Sequence, residues 1–186
     1  MENADRTILI WINGWVGRSR LFDSAAEWVV SDYLIPVCLA LLLLGLWFSG
    51  SNANDRYRYQ VSVLSALVAM AIASWIVMMN NWVYFRPRPF ETLDVVLLFY
   101  EPTDSSFPAN TSAATFAIST TIWLVNRRLG VVALVMSGLF GLARIYAGVN
   151  YPSDIIVGGF VGALISLAVA RLMSTLEIVP RTVIRI

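Results

Sequence analysis

The residues of this sequence best suited to chemistry are three arginines, Arg86, Arg88 and Arg144, and one aspartate, Asp154. Arg86 and Arg88 follow one apolar run, and Arg144 lies about one helical turn before the end of another. A guanidinium group binds phosphate or carboxylate through two parallel hydrogen bonds. We therefore predict an anion site at these arginines, with a purely structural Arg144–Asp154 ion pair as the alternative.

The side chains that the sequence lacks limit its chemistry as strongly. All 13 basic residues are arginine, and the chain has no histidine. Histidine is the usual proton carrier near neutral pH, a common nucleophile and the commonest metal ligand. We therefore predict no metal site and no cofactor. The formal net charge of +1 gives no reason to expect nucleic acid as a partner.

Hydrophobic composition predicts an all-α, polytopic membrane protein. Hydrophobic residues make up 58% of the 186 residues, and the mean hydropathy is +0.70, whereas soluble domains are about 45–50% apolar. A membrane-spanning helix needs roughly 20 mostly apolar residues. A single membrane domain, 1–186, is predicted to contain five spans, at about 29–48, 61–85, 111–125, 130–148 and 154–173.

A short amphipathic helix, at about 6–17, is predicted to lie at the membrane surface with Trp11 and Trp15 at headgroup level. Most of the remaining arginines fall on one side of the five spans: Arg56, Arg58, Arg127, Arg128, Arg171, Arg181 and Arg185. The positive-inside rule makes that side cytoplasmic, so the anion site faces outward. Arg6, Arg18 and Arg20 count against this orientation.

Three segments are expected to meet at the outer face: 84–90, 105–111 and 143–154. The first ends the second span, the second begins the third span, and the last crosses the turn between the fourth and fifth. The start of a helix offers free N–H groups and the positive end of its dipole, both of which favour an anion. A phosphate-sized anion is therefore a plausible ligand for this face.

In order and spacing, these segments resemble the type 2 phosphatidic acid phosphatase superfamily, which is shared with the vanadium haloperoxidases. Its pattern is Lys, six residues, Arg-Pro; then Pro-Ser-Gly-His; then Ser-Arg, five residues, His, three residues, Asp. Arg88-Pro89, Pro108, Arg144 and Asp154 fit this pattern. Nearly the whole chain is similar to the small bacterial undecaprenyl-diphosphate phosphatases linked to bacitracin resistance. The resemblance implies a helical bundle in the bacterial inner membrane.

The residues that react in that family are replaced here. Asn150 stands at the histidine that attacks phosphorus, and Thr111 stands at the histidine that protonates the leaving group. Asn81, Ala109 and Asn110 also differ from the pattern. The resemblance gives Arg88 and Arg144 the role of holding phosphate oxygens, and Arg86 could supply the charge that Asn81 does not. An amide nitrogen is essentially non-basic, and threonine is a poor acid, so turnover by the family mechanism is not expected.

Three functions remain open at this point. The first is a catalytically silent accessory or structural subunit of a larger membrane assembly. The second is a binding protein for a lipid phosphate or polyprenyl phosphate that uses the arginine cluster. The third is a working phosphatase with an atypical nucleophile, for which Asp104, Ser106 and Thr111 are the candidates.

Overall fold

The structure is a computed structural model that describes residues 2–176; Arg181 and Arg185 lie outside this range. Its eight α-helices are α1 (Glu2–Asn13), α2 (Arg20–Val30), α3 (Leu34–Phe48), α4 (Ala53–Val83), α5 (Pro89–Thr92), α6 (Asn110–Val125), α7 (Arg127–Tyr146) and α8 (Pro152–Leu176). No β-strand occurs between residues 2 and 176. The predicted all-helical class is therefore confirmed.

Helix α6 lies at the centre of the bundle and packs against α4, α7 and α8. Its polar side chains bond to the neighbouring helices: the hydroxyls of Ser119 and Ser137 lie 2.8 Å apart, as do those of Thr121 and Ser166. Because these hydroxyls are paired with each other, α6 buries them without leaving unsatisfied groups.

Two glycines of α8 allow it to approach α6 at backbone distance. A Cβ added to Gly158 would lie 2.4 Å from the carbonyl oxygen of Ala109, and one added to Gly162 would lie 2.1 Å from that of Ala113. Small residues at such crossings are typical of helices packed within a membrane, where close packing drives association. The α6–α8 contact therefore depends on residues that lack bulk.

The chain is an integral membrane protein by the length and composition of its helices. Within residues 2–176, three stretches are long and apolar enough to cross a membrane: Ala53–Val83, Arg127–Tyr146 and Pro152–Met173. The pair Arg20–Val30 and Leu34–Phe48, bent by 53°, makes a fourth if it is one broken span. The predicted third span, 111–125, coincides with α6, whose 16 residues extend roughly 24 Å, less than the ~30 Å hydrocarbon core.

Polar side chains mark two helix boundaries that differ from the predicted spans. α4 begins at Ala53, before the predicted 61, because the Asn52 side chain accepts a hydrogen bond from the Asp55 N–H at 2.9 Å. The predicted span 29–48 is interrupted after Val30. There the Ser31 hydroxyl donates to the carbonyl of Trp28 at 2.7 Å. This break places Asp32 at the bend between α2 and α3.

Helix α1 occupies Glu2–Asn13, where the sequence predicts an amphipathic helix at about 6–17. Its end is followed by Gly17, whose φ of +83° favours glycine. The Asn13 side chain donates to the carbonyls of Val96 and Tyr146, both at 2.8 Å, and accepts from the Val96 N–H at 2.9 Å. These bonds attach the end of α1 to the end of α7.

Candidate functional site

The predicted site residues gather at one end of the bundle. Helices α4 and α7 end there, and α6 and α8 begin there, because the turns between these helices reverse the chain. The site consists of Arg86 and Arg88 after α4, Arg144 in the last turn of α7, Asn150 in the following turn, and Asp154 in the first turn of α8. We call this set, with its aspartate partners, the arginine cluster.

Arg88 is buried, with 3% of its surface exposed. Its Nε donates to the carbonyl of Asp104 at 3.0 Å, and its Nη2 donates to the carboxylate of the same residue at 2.7 Å. Nη1 donates to the carbonyl of Val149 at 3.1 Å. All three guanidinium nitrogens therefore bind groups of the chain itself.

Arg144, with 4% exposed, is also buried. Its Nε donates to the side-chain oxygen of Asn150 at 3.0 Å, and its Nη1 forms an ion pair with Asp32 at 3.1 Å. The alternative of an Arg144–Asp154 pair is therefore wrong. The α2–α3 bend brings Asp32 to Arg144, while Asp154 has other partners.

Asp154 is fully buried and both of its oxygens are used. Oδ1 accepts from Nη1 of Arg86 at 2.6 Å. Oδ2 accepts from the Tyr151 N–H at 2.9 Å and from the hydroxyl of Ser106. The backbone of Ser106 in turn donates to the carbonyl of Arg86 at 3.0 Å. Asp154 therefore connects the segment after α4, the segment before α6 and the start of α8.

Arg86 has a second carboxylate partner, Asp5 of α1, at 2.8 Å. Its Nη1 also donates to the hydroxyl of Ser153 at 2.8 Å, and its guanidinium carbon lies 4.0 Å from the ring centre of Tyr151. Asp5 accepts further hydrogen bonds from the N–H of Ser153, at 2.9 Å, and from its hydroxyl. Sequence reasoning missed Asp5, because nothing local distinguishes it from other polar residues of an amphipathic helix.

The Arg86–Asp5 pair is ionised in the folded protein. Burial alone raises the pKa of Asp5, but the hydrogen bonds from Ser153 and Arg86 lower that pKa overall. Burial alone lowers the pKa of Arg86, but the charges and hydrogen bonds of Asp5 and Asp154 raise it overall. Each charge therefore stabilises the other.

The two positions that carry histidine in the family pattern differ in their surroundings. Asn150 is 1% exposed; its oxygen accepts from Arg144, and its nitrogen donates to the carbonyl of Ser106 at 3.2 Å. Thr111 is half-buried at the start of α6. Within residues 2–176, no hydrogen bond joins the Thr111 hydroxyl to the arginine cluster. Asn150 thus belongs to the cluster, whereas Thr111 stands apart from its hydrogen bonds.

The other sequence candidates also have structural partners. Asn81, at the lysine position of the pattern, can donate its amide to the carbonyl of Phe107 at 2.9 Å. Asp104, whose side chain is 60% exposed, forms the ion pair with Arg88. Ser106 has no exposed surface. None of these arrangements leaves an exposed hydroxyl next to a free guanidinium group within the described residues.

The chain itself supplies more carboxylates to the cluster than guanidinium groups. Three guanidinium groups face the four carboxylates of Asp5, Asp32, Asp104 and Asp154. In a low-dielectric environment an added phosphate dianion is unfavourable unless a carboxylate leaves. The arrangement is therefore a closed anion site whose anions belong to the protein.

Comparison with known proteins places this fold and its motifs. The model of the PAP2 superfamily matches residues 62–178. The chain belongs to the PAP2 superfamily. It is 31% identical to the undecaprenyl-diphosphatase BcrC of Bacillus subtilis, over 83% of this chain and 76% of that protein. It is 30% identical to the bacitracin transport permease protein BcrC of Bacillus licheniformis, over 83% of this chain and 73% of that protein. The resemblance inferred from the motifs is confirmed.

Solved structures agree with this assignment. LpxE of Aquifex aeolicus superposes with a TM-score of 0.68 and 25% identity, covering 89% of this chain and 93% of its own. A transmembrane PAP2-type phosphatidylglycerolphosphate phosphatase of Bacillus subtilis gives a TM-score of 0.68 at 16% identity, over 96% of this chain and 89% of its own. The helical bundle is thus that of PAP2 membrane phosphatases.

Proposed function

We propose that this chain is a catalytically inactive PAP2 protein that serves as an accessory or structural subunit of a larger membrane assembly. The observation that carries the proposal is the bonding of Asn150. Its amide oxygen accepts from Arg144 and its amide nitrogen donates to Ser106. A side chain in this role positions its neighbours but has no basic lone pair with which to attack phosphorus.

The loss of the second histidine supports the same proposal. Thr111 is a poor proton donor to a leaving group, and loss of a general acid typically costs 10²–10⁴-fold in rate. Loss of a nucleophile commonly costs still more. The Ser106 hydroxyl donates to Asp154, which could act as its base, but Ser106 has no exposed surface.

The retained frame favours a structural role over simple decay of the sequence. Asn150 and Asp154 satisfy Arg144, Arg86 and Ser106, so the family motifs now hold one end of the bundle together. Buried charges that lose a partner are strongly destabilising. Residues once required for phosphate chemistry therefore have a continuing reason to be kept.

The cluster is proposed to face the outside of the bacterial inner membrane. Arg56, Arg58, Arg127 and Arg128 lie at or near the starts of α4 and α7, at the opposite end of the bundle from the cluster. An excess of arginine favours the cytoplasmic side. Arg6, Arg18 and Arg20 lie at the cluster end and oppose this orientation.

An assay of phosphate release tests the loss of catalysis. Purified protein is incubated with undecaprenyl diphosphate and with phosphatidic acid, beside its own Arg144→Ala variant. We expect no release above that of the variant. Turnover that Arg144→Ala abolishes would refute the proposal and favour the atypical phosphatase, with Ser106→Ala, Asp104→Asn and Thr111→Val identifying the nucleophile.

Purification from native membranes in mild detergent tests the role as a subunit. We expect the chain to elute with a stable complex of other membrane proteins. A protein that runs alone under these conditions contradicts that part of the proposal.

Binding of a lipid phosphate or polyprenyl phosphate is the second candidate function. It is favoured by the convergence of Arg88 and Arg144 on one turn, since Arg88 donates to the carbonyl of Val149 and Arg144 to the side chain of Asn150. Both arginines would be available if their aspartate partners moved. Density for a phosphate-bearing headgroup between them would identify this function.

A further inference from the structure

Helix α1 brings a negative charge into the arginine cluster from outside the bundle. The Asp5 carboxylate is 8% exposed and receives three hydrogen bonds: from the Arg86 guanidinium, from the Ser153 N–H and from the Ser153 hydroxyl. A guanidinium, a backbone amide at a helix start and a hydroxyl are the donors that commonly hold a phosphate oxygen. The Asp5 carboxylate therefore occupies these three donors in the way that a phosphate group would.

The contacts of α1 allow this carboxylate to be withdrawn. Only one face of the helix is buried, through Asp5, Leu9 and Asn13, whereas Ile10 is 51% exposed and Trp11 is 69% exposed. Arg86 keeps Asp154 as a partner at 2.6 Å when Asp5 leaves, so it does not become an unpaired buried charge. The free-energy cost of withdrawing Asp5 therefore comes mainly from the loss of the other α1 contacts.

We propose that Asp5 is an internal ligand that closes the arginine cluster, and that a phosphate or diphosphate group competes with it for Arg86 and Ser153. The proposal deepens the proposed function, because it explains how a site without catalytic groups is kept from binding phosphate. Docking of α1 and binding of the oxyanion exclude each other. By linkage, each weakens the other by the same factor.

The Asp5→Asn variant tests the competition directly. It keeps the size of the side chain and removes its charge, so calorimetric titration with inorganic diphosphate is expected to show binding at least about tenfold tighter than in the unaltered protein. Equal affinity in the two proteins overturns the proposal.

Two variants control this measurement. Asp23→Asn is the same substitution at a different carboxylate. Asp23 accepts a hydrogen bond from the Tyr146 hydroxyl at 2.7 Å and, among the described residues, forms no ion pair with an arginine. Its diphosphate affinity is expected to match that of the unaltered protein. Adding Arg86→Gln to Asp5→Asn is expected to remove the gain, and a gain that survives this change contradicts the proposed site.

Hydrogen exchange in the unaltered protein provides a measurement that does not depend on a variant folding. Saturating inorganic diphosphate, or phosphatidic acid in nanodiscs, is expected to accelerate exchange of the α1 amides by displacing Asp5. Acceleration by phosphatidic acid alone identifies a lipid headgroup as the competitor, and acceleration by diphosphate identifies the free group. Unchanged exchange with both refutes the inference.

The phosphate-release assay separates this inference from the proposed function. If the protein releases no phosphate and diphosphate does not change exchange in α1, the internal-ligand proposal is refuted and the proposed loss of catalysis stands. If the protein releases phosphate and diphosphate accelerates exchange in α1, the internal-ligand proposal stands and the proposed loss of catalysis is refuted.

Discussion

The interior around α6 and the arginine cluster at its end are held together by different kinds of contact. The interior has a close α6–α8 contact at Gly158 and Gly162, and its hydroxyls pair with each other. The cluster keeps Arg88, Arg144 and Asp154 but has asparagine and threonine at the two histidine positions. The fold therefore forms around closely packed and paired groups without the two histidines of the family pattern.

This difference separates two roles that an enzyme of the family would combine in the same residues. In a phosphatase, an arginine of the cluster would hold the substrate and also stabilise the bundle. Here each arginine pairs with an aspartate of the same chain. Two of these aspartates come from the N-terminal part: Asp5 pairs with Arg86, and Asp32 pairs with Arg144. The cluster is thus expected to behave as a structural element, and four measurements examine that expectation.

The largest effect is expected from Arg86→Ala. The change leaves Asp154, which is fully buried, and Asp5 without their cationic partner. Removing one partner of a buried pair costs about 3–5 kcal/mol. The free energy of unfolding in detergent micelles is the measurement, with exposed Arg128→Ala as the control at about 0.5 kcal/mol or less. Equal stability of the two variants would mean that the cluster is not structural.

A smaller effect, about 3 kcal/mol, is expected from Gly162→Ala in the interior. The added Cβ would lie 2.1 Å from the carbonyl oxygen of Ala113, so α6 and α8 must separate. Gly138→Ala is the matched control, since a Cβ there meets nothing within 4 Å. If both substitutions leave the free energy of unfolding unchanged, the close α6–α8 contact is not a determinant of the fold.

Asn150→Ala is expected to cost about 1–2 kcal/mol, because the buried Nε of Arg144 and the carbonyl of Ser106 each lose a hydrogen-bond partner. Asn110→Ala, an exposed asparagine at the start of α6, serves as the control. Thermal unfolding of the two variants gives the comparison. A stable Asn150→Ala protein would show that this position lost its structural role together with its histidine.

The smallest effect concerns pH. The pKa of Asp5 is lowered on folding, so its pairing stabilises the protein above the ordinary carboxyl pKa, about 3.9, and this contribution is lost as the pH falls through the lower folded value. The melting temperatures of the unaltered protein and Asp5→Asn are therefore expected to differ at pH 5. This difference is expected to shrink as the pH falls below roughly 4. A constant difference across this range would contradict the ionised pair.

The sequence was sufficient to predict the all-helical membrane fold and the family, because both depend on local features. Apolar runs indicate spanning helices, and the spacing of Arg88, Arg144 and Asp154 indicates the family. The motifs also predicted which segments meet at one end of the bundle. The phosphate-binding role of Arg86, Arg88 and Arg144 stays a prediction.

The partners of the arginines could not be predicted in this way. Asp154 is the carboxylate nearest to Arg144 in the sequence, yet the ion-pair partner of Arg144 is Asp32, 112 residues away. The bend at Ser31 that positions Asp32 lies within an apolar run, so composition alone suggested a continuous helix. Long-range ion pairs depend on how helices pack, and a single sequence carries little trace of that packing.

The bond between Asp5 and Ser153 has a consequence for biosynthesis. Its two residues are 148 positions apart, and a ribosome adding about 5–20 residues per second needs roughly 7–30 s to make the chain between them. During that time Arg86 is synthesised before Asp154 exists, and α1 lacks the start of α8 against which it docks. Closure of this end of the bundle must therefore be a late step of assembly, completed only after α8 has entered the membrane.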